Sequence, residues 1–169
     1  MSDRVANLLG VVGLAVANRI ELAAKDVLKH SGETPAALVV IGYGLGPSTE
    51  ELRRVLDLSH SGTVRLIDRL VAEGLVERRG ASDGRAVALF LSRRGKAVRE
   101  KILKGRLEAI RPFLDVLSEE ERDKLGALLG KLLASLDTTD GERQTLCRLC
   151  DNRVCTDCPI PANFRDRAN

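Results

Sequence analysis

Residues 58–70 read LSHSGTVRLIDRL, and this stretch decides the fold. Ser59 has the short hydroxyl that accepts a hydrogen bond from a backbone N–H of a first helical turn, so a helix starts near His60. Val64, Ile67, Leu70 and Val71 recur at spacings of three and four and form its inward face, and Gly74 stops it. Just upstream, PSTEE at 47–51 is a second start signal. Ser48 can accept from the N–H three residues on while Glu51 reaches back, a capping box. That helix runs to about Asp57 with Leu52, Val55 and Leu56 inward, and Leu58-Ser59 leaves room only for a tight turn. Two helices of roughly ten residues joined in this way are a helix-turn-helix.

Outward from that unit, residues 75–79 (LVERR) and 86–91 (AVALFL) alternate, and 80–84 (GASDG) are turn formers. This is a β-hairpin following directly on the second helix, so it reads as a wing. Upstream, Val5, Leu8, Leu9, Val12, Val16, Ile20, Ala23, Val27 and Leu28 mark a long amphipathic helix over 2–30. Leu14 and Ala15 widen its apolar face enough for two neighbours, its own domain and a second subunit. Thr34-Pro35 opens a short apolar helix through Ile41, stopped by Gly42, Gly44 and Gly46. Downstream, Val98, Ile102, Leu107, Ile110 and Leu114 stripe a helix over 92–117, in which Pro112 predicts a kink or an early break. Ser118 and Glu121 form another capping box, opening a helix with Leu125, Leu128, Leu129, Leu132, Leu133 and Leu136 on one face.

The predicted fold is mainly α with a small β-hairpin wing. Residues 33–95 form the winged helix-turn-helix, 1–30 and 96–137 a helical dimerisation region, and 138–169 a cysteine-rich tail without strand or helix pattern. Burial of the two amphipathic faces stabilises at about 25 cal/mol per Å², so each calls for a cover.

The 169 residues suit one compact domain with an appendage, and 44% hydrophobic with 30% charged is a globular balance. Aromatics are only 2%, so the core is aliphatic, which favours helices. The net charge of +3 hides an uneven distribution. Between His60 and Arg106 twelve Lys/Arg face five Asp/Glu, the footprint of a nucleic-acid binder. No run of about 18 uncharged apolar residues predicts a membrane helix. Asp3 and Arg4 cancel where a signal peptide needs a basic start, so the reading is a cytoplasmic chain.

A helix enters the major groove and reads base edges with side chains near its N-terminal end. Ser59 at the cap and the outward positions His60, Ser61, Thr63 and Arg65 are the candidates there. Ser61 and Thr63 are short donors for phosphates or bases, and Arg65 can reach a guanine edge. Arg69, one turn on, can pair with Asp68 or a phosphate. Arg78, Arg79 and Arg85 flank the hairpin tip. His60 has no second ligand one turn away and reads as a polar contact rather than a metal ligand.

Together with GLVERR at 74–79, SDGR at 82–85 and LSRRG at 91–95, the 58–70 stretch resembles the multiple antibiotic resistance regulator (MarR) family. The resemblance covers roughly residues 5–137. It departs at Gly62, where a β-branched or hydroxyl residue is common, and at Gly84, where a second Arg is common. It implies a DNA-binding transcription regulator, a repressor working as a homodimer, with Arg85 in the minor groove. It also implies a small-molecule effector pocket between the dimer layer and the winged core. Two reading helices then predict a pseudo-palindromic operator on double-stranded DNA.

Outside the resemblance stands CRLCDNRVCTDC at 147–158. Cys147, Cys150, Cys155 and Cys158 are two Cys-x-x-Cys pairs, each able to grip one ion. Four thiolates suit zinc, although the four-residue gap is short for common structural sites. Cys158-Pro159 also resembles the end of iron–sulfur ligand runs, at a different spacing. The third alternative is a set of redox-active thiols, activated by Arg143, Arg148 and Arg153.

An enzyme is not expected. A thiol oxidoreductase using the Cys pairs lacks the βαβ setting it needs, and the glycines at 42, 44 and 46 lack a phosphate-binding lysine. A winged helix that binds only proteins is the other alternative, and salt-dependent duplex binding separates the two.

Overall fold

The computed structural model describes residues 3–28, 32–80, 87–136, 139–154 and 158–160. The chain order is α1 (Asp3–Val27), α2 (Thr34–Ile41), α3 (Thr49–Leu56), α4 (His60–Ala72), β1 (Val76–Gly80), β2 (Val87–Leu91), α5 (Arg93–Leu114), α6 (Glu119–Ala134) and α7 (Asp140–Cys147). The mainly helical architecture with one antiparallel hairpin matches the expected class, and the three serine caps form as read. Ser48 and Ser118 close complete capping boxes with Glu51 and Glu121, and Ser59 accepts from the Gly62 amide.

The core is aliphatic and centres on α2, all eight of whose residues are buried. Leu52, Ile67, Leu70, Leu89, Ile102 and Leu103 close around its Leu38 and Ile41 from α3, α4, β2 and α5. Each such side chain contributes about 1.5–3 kcal/mol by leaving water, so this cluster holds the winged unit rigid. The hairpin pairs Val76 with Leu91 and Gly80 with Val87, placing Leu89 and Leu91 inward. Arg99 of α5 is buried at 7% exposure, its Nε donating to the Val39 carbonyl at 3.4 Å and its guanidinium lying over the Tyr43 ring. Gly42 makes room for it, since a Cβ there would come within 2.1 Å of Arg99 Cδ.

Two long helices carry apolar surface with no cover in the single chain. On α1 only Ala24 is buried, while Val5, Leu8, Leu9, Val11, Val12 and Leu14 are exposed. None of α6 is buried, and Leu128, Leu129, Leu132 and Leu133 face outward. By length and composition α1 is also apolar enough to cross a membrane when a charge or two is tolerated, with mean hydropathy 1.5 over its best window. The stricter requirement for an uncharged run had passed over it.

Two local expectations change. Pro112 falls in the last turn of α5, which ends two residues later at Leu114, short of the expected 117. The tail does contain a helix, α7, opened by a capping box of Thr139 and Glu142 and packed against α3. Its apolar side is too short to show periodicity, but the Thr-x-x-Glu signature was there to read.

Candidate nucleic-acid interface

The start of α4 is built by Ser59. Its extended backbone lets the hydroxyl accept from the Gly62 amide at 3.1 Å while its carbonyl accepts from Thr63 Oγ1 at 3.0 Å. His60, Ser61 and Arg65 are exposed at this end, with Ser61 Oγ 3.4 Å from Ser59 Oγ. The positive end of a 13-residue helix dipole and an outward-reaching Arg suit a phosphate-lined groove. Among the described residues Arg65 has no ion-pair or hydrogen-bond partner, so its guanidinium is available to a ligand.

Thr63 is a correction. It is fully buried, and its hydroxyl is engaged by the Ser59 carbonyl, so it has no surface to offer DNA. The inward face is Thr63, Leu66, Ile67 and Leu70, while Val64 and Val71 are only half-buried. A helix rotates 100° per residue, so placing the stripe one residue off turned Thr63 outward.

The other arginines have partners inside the chain. Arg69 donates to the buried Thr34 hydroxyl at 2.8 Å, tying α4 to α2, in place of Asp68 or a phosphate. Asp68 instead receives Arg78 of β1. Arg79 pairs with Glu77 at 2.9 Å and lies over the Phe90 ring at 4.9 Å. These exposed pairs are weak and can be exchanged for phosphates on contact. Arg85 lies outside the described residues, as does the rest of the 81–86 tip. On α3, Arg53 and Arg54 hold the Glu50 carboxyl down to about 2. Arg69→Ala should lower stability by about 1 kcal/mol in urea unfolding, because the Thr34 hydroxyl loses its donor. An unchanged midpoint with weakened DNA binding would instead return Arg69 to the interface.

The cysteine segment is not a loose appendage. Tyr43, between α2 and α3, directs its hydroxyl at the carbonyls of Cys147 and Cys150, at 3.1 and 2.9 Å. Leu149 packs on the core, and Asp151 is buried while accepting from Arg153 Nε at 2.9 Å. Arg153 reaches on to Glu100 of α5 with two bonds of 3.0 and 2.9 Å, and Arg148 faces Glu33 at 3.5 Å. Burial, then the thiols of Cys150 and Cys147, push the Tyr43 hydroxyl up.

The expectation that nearby arginines activate the thiols fails for Cys147. Burial, then Cys150 and Cys158, raise its pKa, and Arg148 and Arg153 face the carboxylates of Glu33 and Glu100. A turn joins Cys147 to Cys150, whose amide donates to the Cys147 carbonyl at 2.9 Å, while Cys155 lies outside the described residues. Among the described residues no three His, Cys, Asp or Glu are arranged to hold a metal ion.

One feature the sequence did not disclose is a cavity of about 570 Å³ bounded by α1, α2, α5 and the start of the tail. Lys25, Glu33, Arg106, Arg148, Leu149 and Cys150 line it. The Nε of Arg106 is buried and has no hydrogen-bond partner among the described residues. An Arg in a helical stripe gives no sign in sequence that its nitrogen will be enclosed.

Comparison with known proteins agrees with this geometry. A family model described as MarR family matches residues 31–86, from α2 through the wing. The HTH-type transcriptional regulator YwhA of Bacillus subtilis (strain 168) is 29% identical over 114 residues, 66% of this chain and 82% of that protein. The HTH-type transcriptional repressor YetL of the same organism is 31% identical over 90 residues, 53% of this chain and 54% of that one. Among solved structures, apo MarR from E. coli superposes with a TM-score of 0.60 at 25% identity, covering 74% of this chain and 96% of that one. Motif order, hairpin, helical layer and these likenesses agree: over residues 31–86 the chain matches the MarR family, and it is similar to helix-turn-helix transcription regulators of that kind.

Proposed function

We propose that the chain is a sequence-specific double-stranded-DNA-binding repressor that acts as a homodimer in the cytoplasm and responds to a small ligand. The observation that carries the reading is the capped N-terminal end of α4, where His60, Ser61 and an Arg65 without a partner among the described residues are exposed on a rigid two-helix unit. The uncovered apolar faces of α1 and α6 support the second copy, since a dimer layer would remove both from water. The half-open cavity beside α1, lined by an Arg106 whose Nε has no hydrogen-bond partner among the described residues, supports an effector bearing a negative charge.

Selection from a random duplex pool tests this. The expected product is an inverted repeat with half-sites about one DNA turn apart, bound with an affinity that falls steeply with salt. Failure to enrich any sequence, or binding indifferent to salt, would leave a winged helix that contacts proteins.

A further inference from the structure

The tail supplies one wall of the cavity, and it brings two cysteines with it. Cys150 lines the space together with Arg106, with Lys25 and its partner Glu21, and with Arg148 and its partner Glu33, and Cys147 lies three residues before Cys150. The amide of Cys150 donates to the Cys147 carbonyl at 2.9 Å, a turn that holds the two α-carbons within disulfide range. The cavity wall therefore brings Cys150 together with Arg106, whose buried Nε has no hydrogen-bond partner among the described residues, and the turn joins Cys147 to Cys150.

We propose that the cavity binds a carboxylate-bearing low-molecular-weight disulfide, which exchanges with Cys150 and leaves a Cys147–Cys150 bridge. This deepens the reading of the cavity as an effector site and rests on it. The Cys150 thiolate attacks one sulfur of the small disulfide, forming a mixed disulfide and releasing one small thiolate, which takes up the Cys150 proton. Cys147 then attacks the Cys150 sulfur. The protein bridge forms, and the second small thiol leaves with the proton from Cys147. Two protein thiols are oxidised and one small disulfide is reduced to two thiols. The consequence is local and readable. The bridge draws together the turn whose carbonyls receive Tyr43, and α7 beside it rests on α3 of the helix-turn-helix.

Tyr43 is the single tyrosine and there is no tryptophan, so intrinsic fluorescence reports this seat directly. Reduced full-length protein would be treated anaerobically with glutathione disulfide or with neutral hydroxyethyl disulfide. Bridge formation is followed by peptide mass spectrometry and by Tyr43 emission. Arg106→Met should slow oxidation by glutathione disulfide about tenfold, the loss of one charge-assisted contact, and leave the neutral reagent's rate unchanged. Arg106→Lys should recover part of the preference. If Arg106→Met does not fold, the wild type still decides: raised salt should slow only the glutathione reaction.

Equal slowing of both reagents, no effect on either, or bridges that avoid the 147/150 pair would each overturn the proposal. So would stoichiometric zinc in the purified protein that shields the thiols. Operator binding by the same reduced samples is read separately. Its absence with the exchange preference intact sinks the regulator reading, and its presence without that preference sinks the cavity chemistry.

Discussion

Gly95→Ala is expected to lower the unfolding midpoint by more than 10 °C, a loss of about 3–5 kcal/mol. Gly95 sits in the first turn of α5, where its amide donates to Ser92 Oγ at 2.9 Å. A Cβ at this position would lie 2.0 Å from the Leu75 carbonyl oxygen and 3.3 Å from Leu91. The obstacle is backbone, not a side chain that can swing away. That carbonyl already accepts the Ser92 amide at 3.0 Å, and Leu75 is buried in the core. Relief would require moving α5 off the base of the hairpin. The sign is informative, because Gly→Ala inside a helix otherwise gains about 1 kcal/mol. Gly126→Ala on exposed α6, where a Cβ meets nothing within 4 Å, should show that ordinary gain. A Gly95→Ala protein melting within a few degrees of wild type would mean that α5 does not press on the wing root.

Arg65→Ala should weaken binding to the selected operator by roughly 10–100-fold and binding to random duplex far less. Arg65 is exposed on the second turn of α4, where side chains meet base edges, and among the described residues no carboxylate holds it. Its removal should leave the melting temperature unchanged, which separates it from Arg69, engaged with Thr34. Fluorescence anisotropy on both duplexes at two salt concentrations decides the case. Equal losses on operator and random DNA, with a smaller salt slope, would make Arg65 a phosphate contact.

The legible parts of this protein were those whose physics is local. The caps at Ser48, Ser59 and Ser118 involve partners three residues away, and all three form as written. The hairpin follows from alternation beside turn formers, and the two-helix unit from a cap falling directly after a stripe. Gly74, at φ +66°, ends α4 where a glycine was needed. Even the short helix of the tail carried its Thr139…Glu142 signature.

What only the tertiary structure decided are contacts between residues far apart in the chain. Whether Arg69 faces Asp68, a phosphate or Thr34 depends on where α2 lies, 35 positions away. That Thr63 is buried rather than outward depends on a rotation of one residue, finer than an apolar pattern resolves. The cysteine segment looked detached because it is polar and short. It is held by Tyr43 across more than a hundred residues, by a buried Asp151 and by Arg153 on Glu100. Periodicity records which face of an element prefers to leave water. It carries no record of which distant polar group will meet it there, because that choice is made by packing the whole chain at once.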